Sequence, residues 1–180
     1  IAVDGLSLPT RQGDSALLPL LRQMGAEVNL SSGCITVRKG RLRATDIDAR
    51  PIPDLIPPLS VLAAAAEGGS HIQNARRLRY KESDRLQGIA ELLNSLGGCL
   101  TVDGDSLLIH GVSHLRGGTV DPMGDHRLAM SAALAALSAD APVTVRDADC
   151  VSKSYPAFWA DFQSLKGEAP CPAPSETPSV

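Results

Sequence analysis

The chain resembles itself at an interval of about 72 residues, and that interval restricts the folds open to it. Residues 21–28 (LRQMGAEV) read as a helix ending at Gly25 and passing into a strand, and residues 93–100 (LNSLGGCL) repeat the pattern 72 positions later. A short alternating strand follows each: Cys34–Arg38 and Ser106–His110. Strand-like residues 45–49 (TDIDA) and 118–122 (GTVDP) come next, each leading into an Ala-rich helix that opens near Asp54 or Asp125. Further strands at 70–74 (SHIQN) and 143–147 (VTVRD) precede Lys81 and Lys153, again 72 apart, at the start of another helix. The unit reads β-α-β-α-β-β and recurs about two and a half times, an α/β chain of α+β type. Glycine after Met24 and Leu96 and Pro156 in the first turn of the last helix supply the expected punctuation.

At 180 residues and 43% hydrophobic, the chain can bury one ordinary core, and with 3% aromatics that core is aliphatic. A net charge of −3 argues against nucleic acid or an anionic membrane surface as partner, so any basic site is local. Cys34, Cys99, Cys150 and Cys171 lie far apart without metal-ligand spacing and read as free thiols in a reducing compartment. No apolar run approaches the roughly 20 residues of a membrane span, and residues 1–14 lack a signal peptide's pattern. These features point to a cytoplasmic protein. The chain opens on a strand-like IAVDGL without Met, as a processed or excised piece would. Residues 1–167 are expected to form one domain and 168–180, with prolines at 170, 172, 174 and 178, a disordered tail.

Chemistry concentrates in four stretches. Residues 76–85 (RRLRYKESDR) run into a helix whose Leu86, Ile89, Leu93 and Leu96 form a core face, which puts Lys81 in or just before the first turn and Arg85 a turn further on. Cations at a helix N-terminus oppose the dipole by a few tenths to about 1 kcal/mol each. A structural helix would carry Asp or Glu there, whereas free amides with Lys and Arg suit phosphate or carboxylate. The bland alternative is a solvated charged face. Residues 121–130 (DPMGDHRLAM) offer Asp125 as a cap, with His126 and Arg127 in the first turn. Residues 152–162 (SKSYPAFWADF) place Lys153 where the repeat places Lys81, and Phe158, Phe162 and Leu165 form a stripe expected to be core. In residues 51–58 (PIPDLIPP), Asp54 matches Asp125, and its plain reading is also a helix cap. No P-loop, G-x-G-x-x-G, H-E-x-x-H or nucleophile elbow is present.

Together these stretches resemble the 5-enolpyruvylshikimate-3-phosphate (EPSP) synthase family of 3-phosphoshikimate 1-carboxyvinyltransferases, the glyphosate targets of the shikimate pathway. Residues 78–86 (LRYKESDRL) and 124–130 (GDHRLAM) are similar to its two most distinctive segments. Residues 152–158 and 53–58 are similar to its closing lysine and aspartate segments. The resemblance implies the enolpyruvyl transferase fold, an inside-out α/β barrel with three βαβαββ units in each of two domains and the active site between them. This chain would be the C-terminal domain, lacking the facing N-terminal domain and a few residues that complete its third unit. The implied substrates are phosphoenolpyruvate and shikimate 3-phosphate, handled by a monomer without cofactor or metal. By position, Asp54 would take the shikimate hydroxyl proton beside Lys81, and Glu82 would move a proton at the enolpyruvyl methylene. Arg85 and Arg127 would hold the phosphoenolpyruvate carboxylate with His126 adjacent, and Lys153 would meet its phosphate. Arg77 departs from the family pattern, in which Asn or an acidic residue is common.

The rivals are the sister transferase acting on UDP-N-acetylglucosamine, against which the KESDR run speaks, and a folded but catalytically silent domain. An RNA-processing relative with similar repeats is disfavoured by the acidic pI of about 5.8.

Overall fold

A computed structural model describes residues 1–6, 9–31 and 33–165. The expected tail and Cys171 lie outside these residues. The first strand, β1 (Ala2–Val3), is followed by a 3₁₀ turn Gly13–Ala16, α1 (Leu17–Gln23), β2 (Glu27–Ser31) and β3 (Cys34–Arg38). One complete unit comes next: β4 (Ile47–Asp48), α2 (Ile56–Ala64), β5 (Gly69–Gln73), α3 (Arg85–Ser95), β6 (Cys99–Asp103) and β7 (Ser106–His110). The last group is β8 (Gly118–Val120), α4 (His126–Ala136), β9 (Val143–Val145) and α5 (Phe158–Leu165).

The repeat is visible in the pairing. The complete unit forms a sheet ordered β4-β5-β7-β6, parallel between β4 and β5 and antiparallel elsewhere. The sheet β1-β3-β2 reproduces its β5-β7-β6 portion, and the parallel pair β8-β9 reproduces β4-β5. The seams repeat as well. Isolated bridges join Arg43 to Glu67 and Leu115 to Ala139, each partner shifted by 72 residues. Arg43 donates its amide to Met24 at 2.9 Å as Arg116 does to Leu96 at 2.6 Å. Gly25 and Gly97 end the matching helices with φ of +97° and +82°.

Three helices, α2, α3 and α4, supply the buried helical residues, whereas α1 and α5 have none. α2 buries residues on nearly every side, including Ile56, Leu59, Val61 and Ala64, and packs on α3 and α4. A helix apolar all round belongs in the interior. α4 achieves this with small residues: Ala129, Ala132 and Ala135 are fully buried, which permits close approach to α2. The expected core face of α3 is confirmed, with Leu86, Ile89, Leu93 and Leu96 all buried.

Three local expectations are corrected. Arg85 opens α3 rather than lying a turn into it, because Asp84 accepts the Gln87 amide at 3.1 Å and caps there; Lys81, expected in or just before the first turn, is extended and precedes the helix. α5 begins at Phe158, leaving Pro156 outside its first turn. The stripe of α5 is not core: Leu165 is exposed, and Phe158 and Phe162 are only half-buried, stacked on each other at 5.7 Å. These rings satisfy one another within a short terminal helix rather than filling the interior.

Candidate active site

α2, α3 and α4 pack together, and ion pairs join the residues at and just before their N-termini. Asp54 sits just before α2, Arg85 opens α3, and Asp125, His126 and Arg127 begin α4. The sequence explains why these residues do different work. Asp125 caps α4, its Oδ1 accepting the Arg127 amide at 2.9 Å. Asp54, expected to cap likewise, does not, and no side chain caps α2. A capping carboxylate bonds the amides at the second and third helical positions. Asp54 lies inside the 3₁₀ turn Pro53–Leu55, one residue ahead of the α2 cap position at Leu55, and the second and third positions of α2 are Pro57 and Pro58, without N–H. The Asp54 carboxylate is thereby left for cations.

Arg85 is the hub. Its side chain is 1% exposed, and its Nε donates to Asp125 Oδ2 at 2.7 Å. One terminal nitrogen reaches Asp54 Oδ1 at 2.8 Å; the other reaches Glu82 Oε2 at 2.5 Å and Asp125 Oδ1 at 3.3 Å. Lys81 Nζ lies 3.1 Å from Asp54 Oδ1, and Arg127 lies 3.3 Å from Asp54 Oδ2. Lys153 Nζ is 3.5 Å from Glu82 Oε1, so Glu82 spans the two lysine segments. Ser83, which the sequence did not single out, donates its hydroxyl to Asp125 Oδ2 at 3.1 Å. The helix-start cations are therefore not bare. Four cations, Lys81, Arg85, Arg127 and Lys153, are laced by three carboxylates, Asp54, Glu82 and Asp125.

Electrostatics follow from this lacing. Burial pushes the Asp54 carboxyl up, but the bond from Lys81 and the charges of Arg127, Lys81 and Arg85 outweigh it and hold the group below the ordinary carboxylate value. Asp125 behaves alike: burial raises it, and the Arg85 bond with the Arg127 amide brings it down. Glu82 is lowered by a bond from its own backbone amide, against burial, with help from Arg85. His126 is lowered chiefly by burial, so it is neutral at pH 7, and its Nδ1 is buried without a partner among the described residues. Burial also pushes the Cys150 thiol up. Every residue expected at the site except His126 is joined to the others through these contacts; His126 lies between Asp125 and Arg127 in sequence. Arg77 is exposed on the 3₁₀ helix Arg76–Tyr80.

A model of the EPSP synthase (3-phosphoshikimate 1-carboxyvinyltransferase) family matches residues 1–162. The chain belongs to the EPSP synthase family. It is 43% identical over 164 residues to the 3-phosphoshikimate 1-carboxyvinyltransferase of Clostridium kluyveri, covering 91% of this chain and 38% of that one. The enzyme of that name from Methanocella arvoryzae is 47% identical over 163 residues, covering 89% of this chain and 38% of the relative. An EPSP synthase structure from Acinetobacter baumannii superposes with a TM-score of 0.78 at 28% identity, over 91% of this chain and 41% of that one. The chain thus spans about two fifths of the length of these EPSP synthases. The enolpyruvyl transferase fold implied by the resemblance is the fold of this chain. No described helix is long and apolar enough to cross a membrane, and Cys34, Cys99 and Cys150 are free thiols.

Proposed function

We propose that the full-length protein carrying this chain transfers the enolpyruvyl group of phosphoenolpyruvate to shikimate 3-phosphate and releases phosphate, acting as a cytoplasmic monomer without metal or cofactor. The observation that carries the reading is the single cluster in which Asp54, Lys81, Glu82, Arg85 and Arg127 meet. Such a cluster supplies the base, the acid and the fixed cations of an addition–elimination through a tetrahedral ketal.

Asp54 takes the proton of the shikimate hydroxyl, whose oxygen then bonds to C2 of phosphoenolpyruvate. Glu82 gives a proton to the methylene carbon, and Lys81 steadies the charge beside Asp54. Elimination reverses the proton at that carbon as the C2–O bond to phosphate breaks. Arg127 and Arg85 hold the substrate carboxylate, Lys153 meets the phosphate, and His126 adjoins as a neutral donor or acceptor. Asp54 and Glu82 pair with the same cations that substrate would need. An incoming carboxylate on Arg127 relieves Asp54 of a stabilising charge and makes it a stronger base. A phosphate on Lys153 does the same for Glu82, which then holds a proton more readily.

Turnover of the two substrates by the full-length protein, read as released phosphate, tests this. Turnover only with UDP-N-acetylglucosamine as acceptor would sink it. The same lacing makes the isolated 180-residue chain a weak binder and inactive. Titration of phosphoenolpyruvate into this chain by NMR should leave the Arg127 amide nearly unshifted at millimolar ligand; tight binding would show the facing domain to be dispensable.

A further inference from the structure

Residues 79–84 lie between two fully buried anchors, Leu78 and Arg85, and nothing apolar pins them. Tyr80 in their midst is 74% exposed. Lys81 and Glu82 nevertheless stand at the centre of the cluster. Their ties, Lys81 to Asp54, Glu82 to Arg85 and Ser83 to Asp125, all run through groups that hold or border the anion site. A ligand that claims Arg85 and Lys153 loosens those ties at the moment the segment must be in place.

A different set of contacts is independent of the site. The Arg79 guanidinium donates through Nε to Asp105 at 3.3 Å and through its two terminal nitrogens to Asp84 at 3.1 Å and the Gly104 carbonyl at 2.6 Å. Gly104 and Asp105 form the tip of the β6–β7 hairpin, and the Asp105 carbonyl also accepts the Ala75 amide at 2.8 Å. Asp84 is the residue that caps α3. We propose that Arg79 is a positioning residue: its three-way fork straps the 79–84 segment to the hairpin tip and the α3 cap, holding Lys81 and Glu82 at the reacting atoms while ligand occupies the cations. The fork is what makes the strap, since a lysine presents one compact charge and cannot span three acceptors in fixed directions.

Its catalytic consequence rests on the function proposed above. In the full-length protein, Arg79→Ala should lower kcat between about tenfold and a hundredfold, as a misplaced acid or base does. The KM for phosphoenolpyruvate, set by Arg85 and Arg127 on helices, should change by less than about threefold. Hydrogen exchange gives a readout independent of turnover: amides 80–84 should exchange at least about tenfold faster, with those of α3 and α4 unaltered. Asp105→Asn, at the hairpin tip, should repeat the pattern at smaller amplitude, and the double variant should be no worse than Arg79→Ala alone. Unchanged exchange at 80–84 in both single variants would overturn the proposal, as would acceleration spreading through α3 and α4. Absence of turnover by the unmodified protein would defeat the functional reading and leave the exchange comparison to decide the strap.

Discussion

Lys81 and Lys153 occupy equivalent places in successive units, each at the end of a 3₁₀ helix a few residues before an α-helix, yet they are held in opposite ways. Lys81 is 23% exposed and 3.1 Å from Asp54, whereas Lys153 is 61% exposed and 3.5 Å from Glu82. Two residues earlier, the complete unit has Arg79 tied to its own hairpin, while the last unit has Val151 simply buried. The complete unit therefore fixes its lysine from below with polar contacts made by β6–β7. The other lysine rests on an apolar anchor and leaves its head largely exposed, at a longer reach from its carboxylate Glu82. A duplicated scaffold has yielded one lysine built into the cluster and one presented to whatever arrives.

The contrast can be broken most forcefully through the buried pair that fixes the second unit. Asp125→Ala removes the fully buried partner of Arg85 and the α4 cap, leaving Arg85 only its part-exposed partners Asp54 and Glu82, and should cost about 3 kcal/mol, measured by urea unfolding. A cost near that of a surface pair would mean that Asp54 and Glu82 compensate Arg85 without the buried Asp125. Next in size is Arg127→Ala, which leaves the hub intact but should raise the KM for phosphoenolpyruvate in the full-length protein by about 10- to 100-fold. Unaltered kinetics would reduce the cluster to a structural ion-pair network. The comparison itself is sharpened by the two lysines. Lys81→Ala should cost up to about 1 kcal/mol and Lys153→Ala nothing measurable in thermal unfolding. Equal costs would erase the distinction between built-in and presented. The smallest effect concerns pH. His126 is depressed below its ordinary 6.5, so its share of stability is complete above that value and declines as pH falls below it. Tm should drop slightly between pH 7.5 and 5.5, and His126→Gln should flatten that slope. Asp54, Glu82 and Asp125 are also depressed, so their contribution persists to about pH 4 and is lost only as pH falls through their lower folded values.

What the sequence made legible is what local spacing can carry. The 72-residue interval exposed the unit, because a strand-helix alternation that recurs at fixed offset needs no knowledge of contacts. The Leu86–Leu96 face and the Asp125 cap were legible for the same reason, each being decided within one or two turns of helix. Asp54 misled because its repeat partner caps a helix, whereas the 3₁₀ turn Pro53–Leu55 puts Leu55, not Asp54, at the cap position of α2. The α5 stripe misled because periodicity marks a face without saying what covers it. The lacing of Arg85 was legible only in Glu82, three residues away: Asp54 and Asp125 lie 31 and 40 residues off, and no helical period links them to it. Arg79 was passed over as one charge among several, its value depending on a hairpin tip brought alongside by β5–β7 pairing.

The lacing has a further consequence in the currency of protons. With His126 neutral, four cations against three carboxylates leave the cluster only one unit positive. An anion bearing both a carboxylate and a phosphate brings about −2.5 to −3 at neutral pH. Its arrival turns the cluster negative and lifts the affinity of the displaced carboxylates for hydrogen ions. Association in the whole protein should therefore draw protons from solution, and the heat of binding should change with the ionisation enthalpy of the buffer.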